Sequence, residues 1–174
     1  MRVRRGAVFT LVILALALGA AACGGTSKKT ATSAAELKAA ESHWRVGLGH
    51  WRASMLRALD GISLIFSRQD SLAGLEARHS KTSDRLERYE FTLANCTVVL
   101  RGLGPVPQRL RLSNQYAGQA CENLERGVRL VVRAVSQLGR VASVDPLDQA
   151  SIPLGDGQSE LTTATRAALE IPPT

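Results

Sequence analysis

The strongest constraint on this chain is a hydrophobic seam that steps alternately by three and four residues. Leu37, Trp44, Leu48, Trp51, Met55, Ala58, Ile62 and Ile65 fall on it, with Glu41 filling the missing slot. Such spacing puts every listed side chain on one stripe of an α-helix, which must then be buried against other helices. Ser33 followed by Glu36 fits a capping box, so the first helix is expected from about Ala34 to Ser67. Gly47, Gly49 and Gly61 each cost roughly 1 kcal/mol relative to alanine in a helix. They suggest a kink near 47–49 and a break near Asp60-Gly61.

A second seam runs through Leu72, Leu75, His79, Thr82, Leu86, Tyr89, Leu93, Cys96, Leu100 and Leu103, and predicts one helix from about Asp70 to Arg101. Gly102-Leu103-Gly104-Pro105-Val106-Pro107 is the clearest breaker. A third seam, Leu110, Asn114, Ala117, Cys121, Leu124, Val128, Val131, Val135, Leu138 and Ala142, predicts a helix starting between Pro107 and Ser113 and ending near Val141. Residues 143–157 hold Asp145-Pro146, Pro153 and Gly155-Asp156-Gly157 and read as loop, and a short helix is expected from about Gln158 to Glu170. The expected fold is all-α: an antiparallel up-down bundle of three long helices completed by a short C-terminal one.

The N-terminus has a different pattern. Arg2, Arg4 and Arg5 precede an apolar run from Ala7 to Leu18, and small residues lead to Cys23. A basic head, a short apolar stretch and a small-residue cleavage zone define a secretory signal. The run is shorter than the ~20 residues that a membrane-spanning helix needs. Ala20-Ala21-Ala22-Cys23 resembles the lipobox of bacterial lipoproteins, although the position three before the cysteine, most often leucine in that family, is alanine here. The resemblance covers residues 1 to about 30. It implies that the Cys23 thiol receives a diacylglyceryl group and that signal peptidase II cuts before it. The alternatives are an ordinary cleaved signal using Ala20-Ala21-Ala22 as an A-x-A site, or an uncleaved anchor. On the lipoprotein reading, residues 1–22 are the signal peptide, 23–33 the lipidated cysteine and a small, polar, flexible tether, and 34–174 the helical domain. Two acyl chains would anchor stably where one alone is marginal. The expected location is the cell membrane, lipid-anchored on its extracytoplasmic face, or the outer membrane in a Gram-negative source.

This organisation changes the charge. The whole chain carries 22 basic and 15 acidic residues, a formal +7. Without the three signal arginines the working protein has 19 against 15. A mildly basic, exported protein is a poor candidate for nucleic-acid binding. It would favour an anionic surface weakly.

It also accounts for the odd cysteine. With Cys23 on lipid, Cys96 and Cys121 remain, in a compartment where disulfides persist. Bridging requires α-carbons within about 7 Å. A symmetric hairpin centred near residue 105 would leave Cys121 roughly 10 Å out of register with Cys96. A bridge therefore predicts that residues 102–112 are largely non-helical and that Ser113 lies close to the helix start. The alternative is two buried free thiols.

The remaining chemistry is sparse. His43 and His50 are about two helical turns apart, roughly 10 Å, too far to share one metal ion. There is no nucleophile elbow, phosphate loop or C-x-x-C pair. Glu87 with Glu90 and Glu122 with Glu125 show no acid–base surroundings in the sequence. No metal, cofactor or catalytic residue is assigned, and no enzyme is expected. Trp44, Trp51 and Met55 share one seam, where core packing is the simplest account; a partly open aromatic groove for a small apolar or glycan ligand is the alternative. Arg101, Arg109 and Arg111 cluster at the hairpin tip, and Arg126, Arg129, Arg133 and Arg140 recur on the third helix. The function expected is an envelope interaction or scaffold module with a membrane attachment through Cys23 and an envelope protein as partner. The sequence does not specify the oligomeric state.

Overall fold

Ser33 starts the folded chain. Its hydroxyl accepts from the Glu36 amide at 3.2 Å, and its own amide donates to Glu36 Oε2 at 2.7 Å, completing the capping box. The Ser33 amide, and after it the Ser33 hydroxyl beside the carboxylate, hold the Glu36 carboxyl below its ordinary pKa. The computed structural model describes residues 33–78, 80–138 and 145–172. Residues 1–22, read above as a signal peptide, the expected tether up to residue 32 with Cys23, and His79 lie outside the described residues.

Every regular element among the described residues is helical, so the protein is all-α. Six α-helices follow in order: α1 (Ala34–Phe66), α2 (Gln69–Glu76), α3 (Lys81–Ala94), α4 (Cys96–Arg101), α5 (Arg111–Gln137) and α6 (Asp145–Leu169). A short 3₁₀ turn, Gln108–Leu110, precedes α5. The described residues form one compact unit with its own core.

α1 runs unbroken through Gly47 and Gly61, contrary to the expected kink and break. Both glycines are places of close approach. A β-carbon at 47 would stand 2.9 Å from Leu103 Cδ2, and one at 61 would overlap the Tyr89 ring. Tertiary contact thus retains residues that intrinsic helix propensity would reject.

The expected single helix over 70–101 is three helices. Arg78 adopts φ +52°, a left-handed conformation that stops α2. Ser80 then caps α3: its Oγ accepts from the Ser83 amide and donates to the Gly74 carbonyl at 2.7 Å. At the second break, Asn95 Nδ2 donates to the Phe91 carbonyl at 2.8 Å, a side chain competing with the backbone ladder.

The C-terminal helix is also longer than expected. It occupies 25 residues and includes Pro153, Gly155 and Gly157. A proline inside a helix removes one hydrogen bond and costs ~3 kcal/mol. Packing against α5 offsets this. Leu154 lies over Gly127, and Gly157 lies against Leu124 and the Ala120 carbonyl. Ala150, Leu161, Ala164 and Ala168 are buried in the same core. Small residues on both helices let the backbones approach, and the α5–α6 contact is the most extensive in the molecule. Buried Ser113 fixes its register by donating to the Ala164 carbonyl at 2.7 Å.

Candidate functional site

Trp44, Trp51 and Met55 are 1, 2 and 0% exposed and belong to the central core with Leu48 and Leu93. The heptad reading of these positions as core therefore describes their placement. Trp51 Nε1 is buried without a hydrogen-bond partner. The three residues line none of the clefts described below.

Cys96 and Cys121 are both fully buried and lie at disulfide-bonding distance, with α-carbons 5.2 Å apart. The chain between the helices is turn and 3₁₀ up to Leu110, as the register argument required. Glu125 reinforces this junction by accepting from the Thr97 amide at 3.1 Å, placing a carboxylate at the start of α4. Its role could not be read from sequence because it joins residues 28 apart.

A polar cluster joins α1, the 3₁₀ turn and the end of α6. Glu41 is only 7% exposed and stands 4.0 Å from both Arg45 and Arg109. The Arg45 guanidinium also donates to the Ala168 carbonyl and, at 2.8 Å, to the Ile171 carbonyl. A cation satisfying the last carbonyls of a helix is favourable both as a hydrogen-bond donor and against the helix dipole. This explains why a carboxylate sits in the otherwise apolar seam of α1.

Three clefts among the described residues have ligand-sized volumes: an open one of about 480 Å³ between α1 and α3, beside Gly61 and Tyr89, and two others. One, of about 340 Å³ between α1, α5 and α6, is walled by Leu59, Ile62, Phe66, Val131, Ala150 and Leu154. The other, of about 510 Å³, is formed by the end of α2, α3 and α5, with Leu86, Val132 and Val135 below and Arg78, Glu87 and Glu90 around it. Burial, and then the nearby Glu87 charge, raise the Glu90 pKa to about 7. Glu87 and Glu90 gain from the fold an environment that was invisible in the sequence.

His43 and His50 are exposed on α1. Among the described residues, no group of three or more His, Cys, Asp or Glu side chains is placed to hold a metal ion. No described helix is long and apolar enough to cross a membrane. Arg101, Arg109 and Arg111 are exposed around the turn between α4 and α5. No known protein family, curated protein or solved structure matches this chain.

Proposed function

We propose that this protein is a lipid-anchored, extracytoplasmic interaction module of a bacterial envelope, with no catalytic role. One relation carries the reading: the lipobox cysteine, Cys23, precedes the Ser33 capping box by only ten residues. The chain moves directly from a lipid attachment sequence to a domain with its own core. Exposed apolar side chains on α3 and α4, Phe91 at 72% and Val98 at 64%, supply a face of the kind that partners cover.

The proposed architecture is an antiparallel up-down bundle of α1, α3–α4, α5 and α6, with α2 at one end. Its support is the order of contacts. Gly47 meets Leu103 whereas Gly61 meets Tyr89. Ser113 meets Ala164 whereas Gly127 meets Leu154. In each pair of elements, residue numbers rise on one side as they fall on the other.

The experiment is acyl-chain labelling and envelope fractionation of the wild type and Cys23→Ser, followed by crosslinking in the intact envelope. Labelling lost in the variant, and a defined partner captured above an anchored control domain, are the expected results. Equal labelling of both forms would overturn the anchor, and no specific capture would overturn the interaction role. A second reading, binding of a small apolar or glycan ligand, draws its support from the α1–α5–α6 cleft rather than from Trp44, Trp51 and Met55. A rise in melting temperature with envelope lipids or glycans would favour it.

A further inference from the structure

The fold gathers three separate parts of the chain at one end of α1. The first is the start of α1 itself, where the chain from Cys23 arrives. The second is the turn between α4 and α5, tied there by Leu103 against Gly47 and by Arg109 at 4.0 Å from Glu41. The third is the end of α6, held by Arg45 through the Ala168 and Ile171 carbonyls. Glu41 is eight residues beyond Ser33, about 12 Å along the helix axis. The span from Cys23 to Ser33 reaches at most about 35 Å.

This end has a distinct surface. Arg101, Arg109 and Arg111 are exposed on the turn, with Lys38 on α1 and Arg166 on α6. The acidic groups nearby are fewer: Glu36 in its capping box, Glu170, and Glu41, which is buried beside two arginines. Three large apolar side chains project among these charges: Leu37, Leu112 and Leu169, at 53, 54 and 72% exposure. Basic residues interspersed with exposed leucines form the composition that associates with an anionic lipid interface. The cations meet the head groups, while the apolar side chains enter the boundary beneath them.

We propose that this end of the domain docks directly on anionic phospholipid head groups, through Arg101, Arg109 and Arg111 and the neighbouring leucines. The inference rests on the lipid-anchor reading for its orientation: the tether delivers this same end to the membrane. Charge complementarity identifies the occupant. The opposite end of the bundle mixes Arg57, Arg68, Arg78, Lys81, Arg129 and Arg133 with Asp60, Asp70, Glu76, Asp84 and Asp148, so its excess of basic over acidic groups is smaller.

The test is vesicle flotation with residues 23–174 carrying Cys23→Ser, so that no acyl chain contributes. The probes are phosphatidylglycerol vesicles and phosphatidylcholine vesicles. Binding to the anionic vesicles alone, weakened as salt rises, is expected. The triple variant Arg101→Gln, Arg109→Gln, Arg111→Gln should reduce it about a hundredfold, at roughly 1 kcal/mol per basic residue near the surface. The double variant Arg101→Gln, Arg111→Gln leaves the Glu41 ion pair intact and should still reduce binding at least tenfold, which keeps the test independent of any folding defect at Arg109. Arg126→Gln, Arg129→Gln, Arg133→Gln removes the same charge from elsewhere on α5 and should leave binding within twofold. Equal loss in both triple variants, or no binding to phosphatidylglycerol, would overturn the proposal. So would retention on polyglycerol phosphate without vesicle binding, which would indicate a wall polymer. Acyl labelling of the intact protein reports separately on the anchor. Lost labelling with vesicle binding intact removes the anchor alone, and the reverse removes only the direct contact.

Discussion

Gly127 of α5 lies directly beneath Leu154 of α6: a β-carbon at 127 would stand 2.6 Å from Leu154 Cδ2 and 3.2 Å from its backbone nitrogen. The side-chain carbons can move, but the backbone nitrogen belongs to a helix packed along its length. Gly127→Ala is therefore expected to destabilise by about 1–3 kcal/mol through overpacking, despite the ~1 kcal/mol that alanine gains in helix propensity. Gly118→Ala on the same helix meets nothing within 4 Å and should stabilise by up to about 1 kcal/mol. Urea unfolding of the two variants provides the comparison. Equal shifts in one direction would mean that the α5–α6 spacing is not as close as described.

The Cys96–Cys121 link encloses 25 residues and should contribute about 3 kcal/mol by restricting the unfolded chain. For a domain of this size, reduction should lower Tm by roughly 6–12 °C. Melting with and without reductant, beside Cys96→Ala/Cys121→Ala, tests this. A melting curve indifferent to reductant would identify free thiols.

Glu90 sets a pH dependence. Its folded pKa of about 7 lies above its ordinary value of 4.5, so between these values the folded state binds more protons than the unfolded one. The stabilisation is complete below pH 4.5 and is lost as pH rises through about 7. Glu90 is half-buried, and screening reduces the effect to about 1 kcal/mol. Glu90→Gln should therefore raise Tm at pH 8 relative to wild type and narrow the difference at pH 5. An identical Tm difference at both pH values would show that Glu90 titrates normally.

The parts legible from sequence were those governed by local rules. Ser33 with Glu36 located the start of α1, and the seam identified Trp44, Leu48, Trp51 and Met55 as neighbours. The cysteine register located the start of α5 to within two residues of Ser113. The breaks at Arg78 and Asn95 were hidden because the apolar spacing continues through them, while a left-handed backbone and a serine cap interrupt the helix. α6 was shortened because Pro153, Gly155 and Gly157 outweighed the periodicity, whereas in the fold the α5 surface decides. The seam could not distinguish a groove from a core, since both need the same stripe. Nor could it reveal Arg109 beside Glu41, a contact set by topology across 68 residues.

Arg45 links that topology to the end of α6. Arg45→Met retains an apolar stem but removes the donors to the Ala168 and Ile171 carbonyls and leaves buried Glu41 with Arg109 alone. Hydrogen bonds to a charged group contribute about 1.5–3 kcal/mol, so a loss of about 2 kcal/mol is expected. Hydrogen exchange should show the last turn of α6 losing protection before the middle of α1. Part of the cost is the stranded carboxylate, so Glu41→Gln/Arg45→Met should be less destabilised than the sum of its single variants. Additive costs would confine Arg45 to capping α6. Coupling of 0.5 kcal/mol or more would establish the ion pair as part of the same joint.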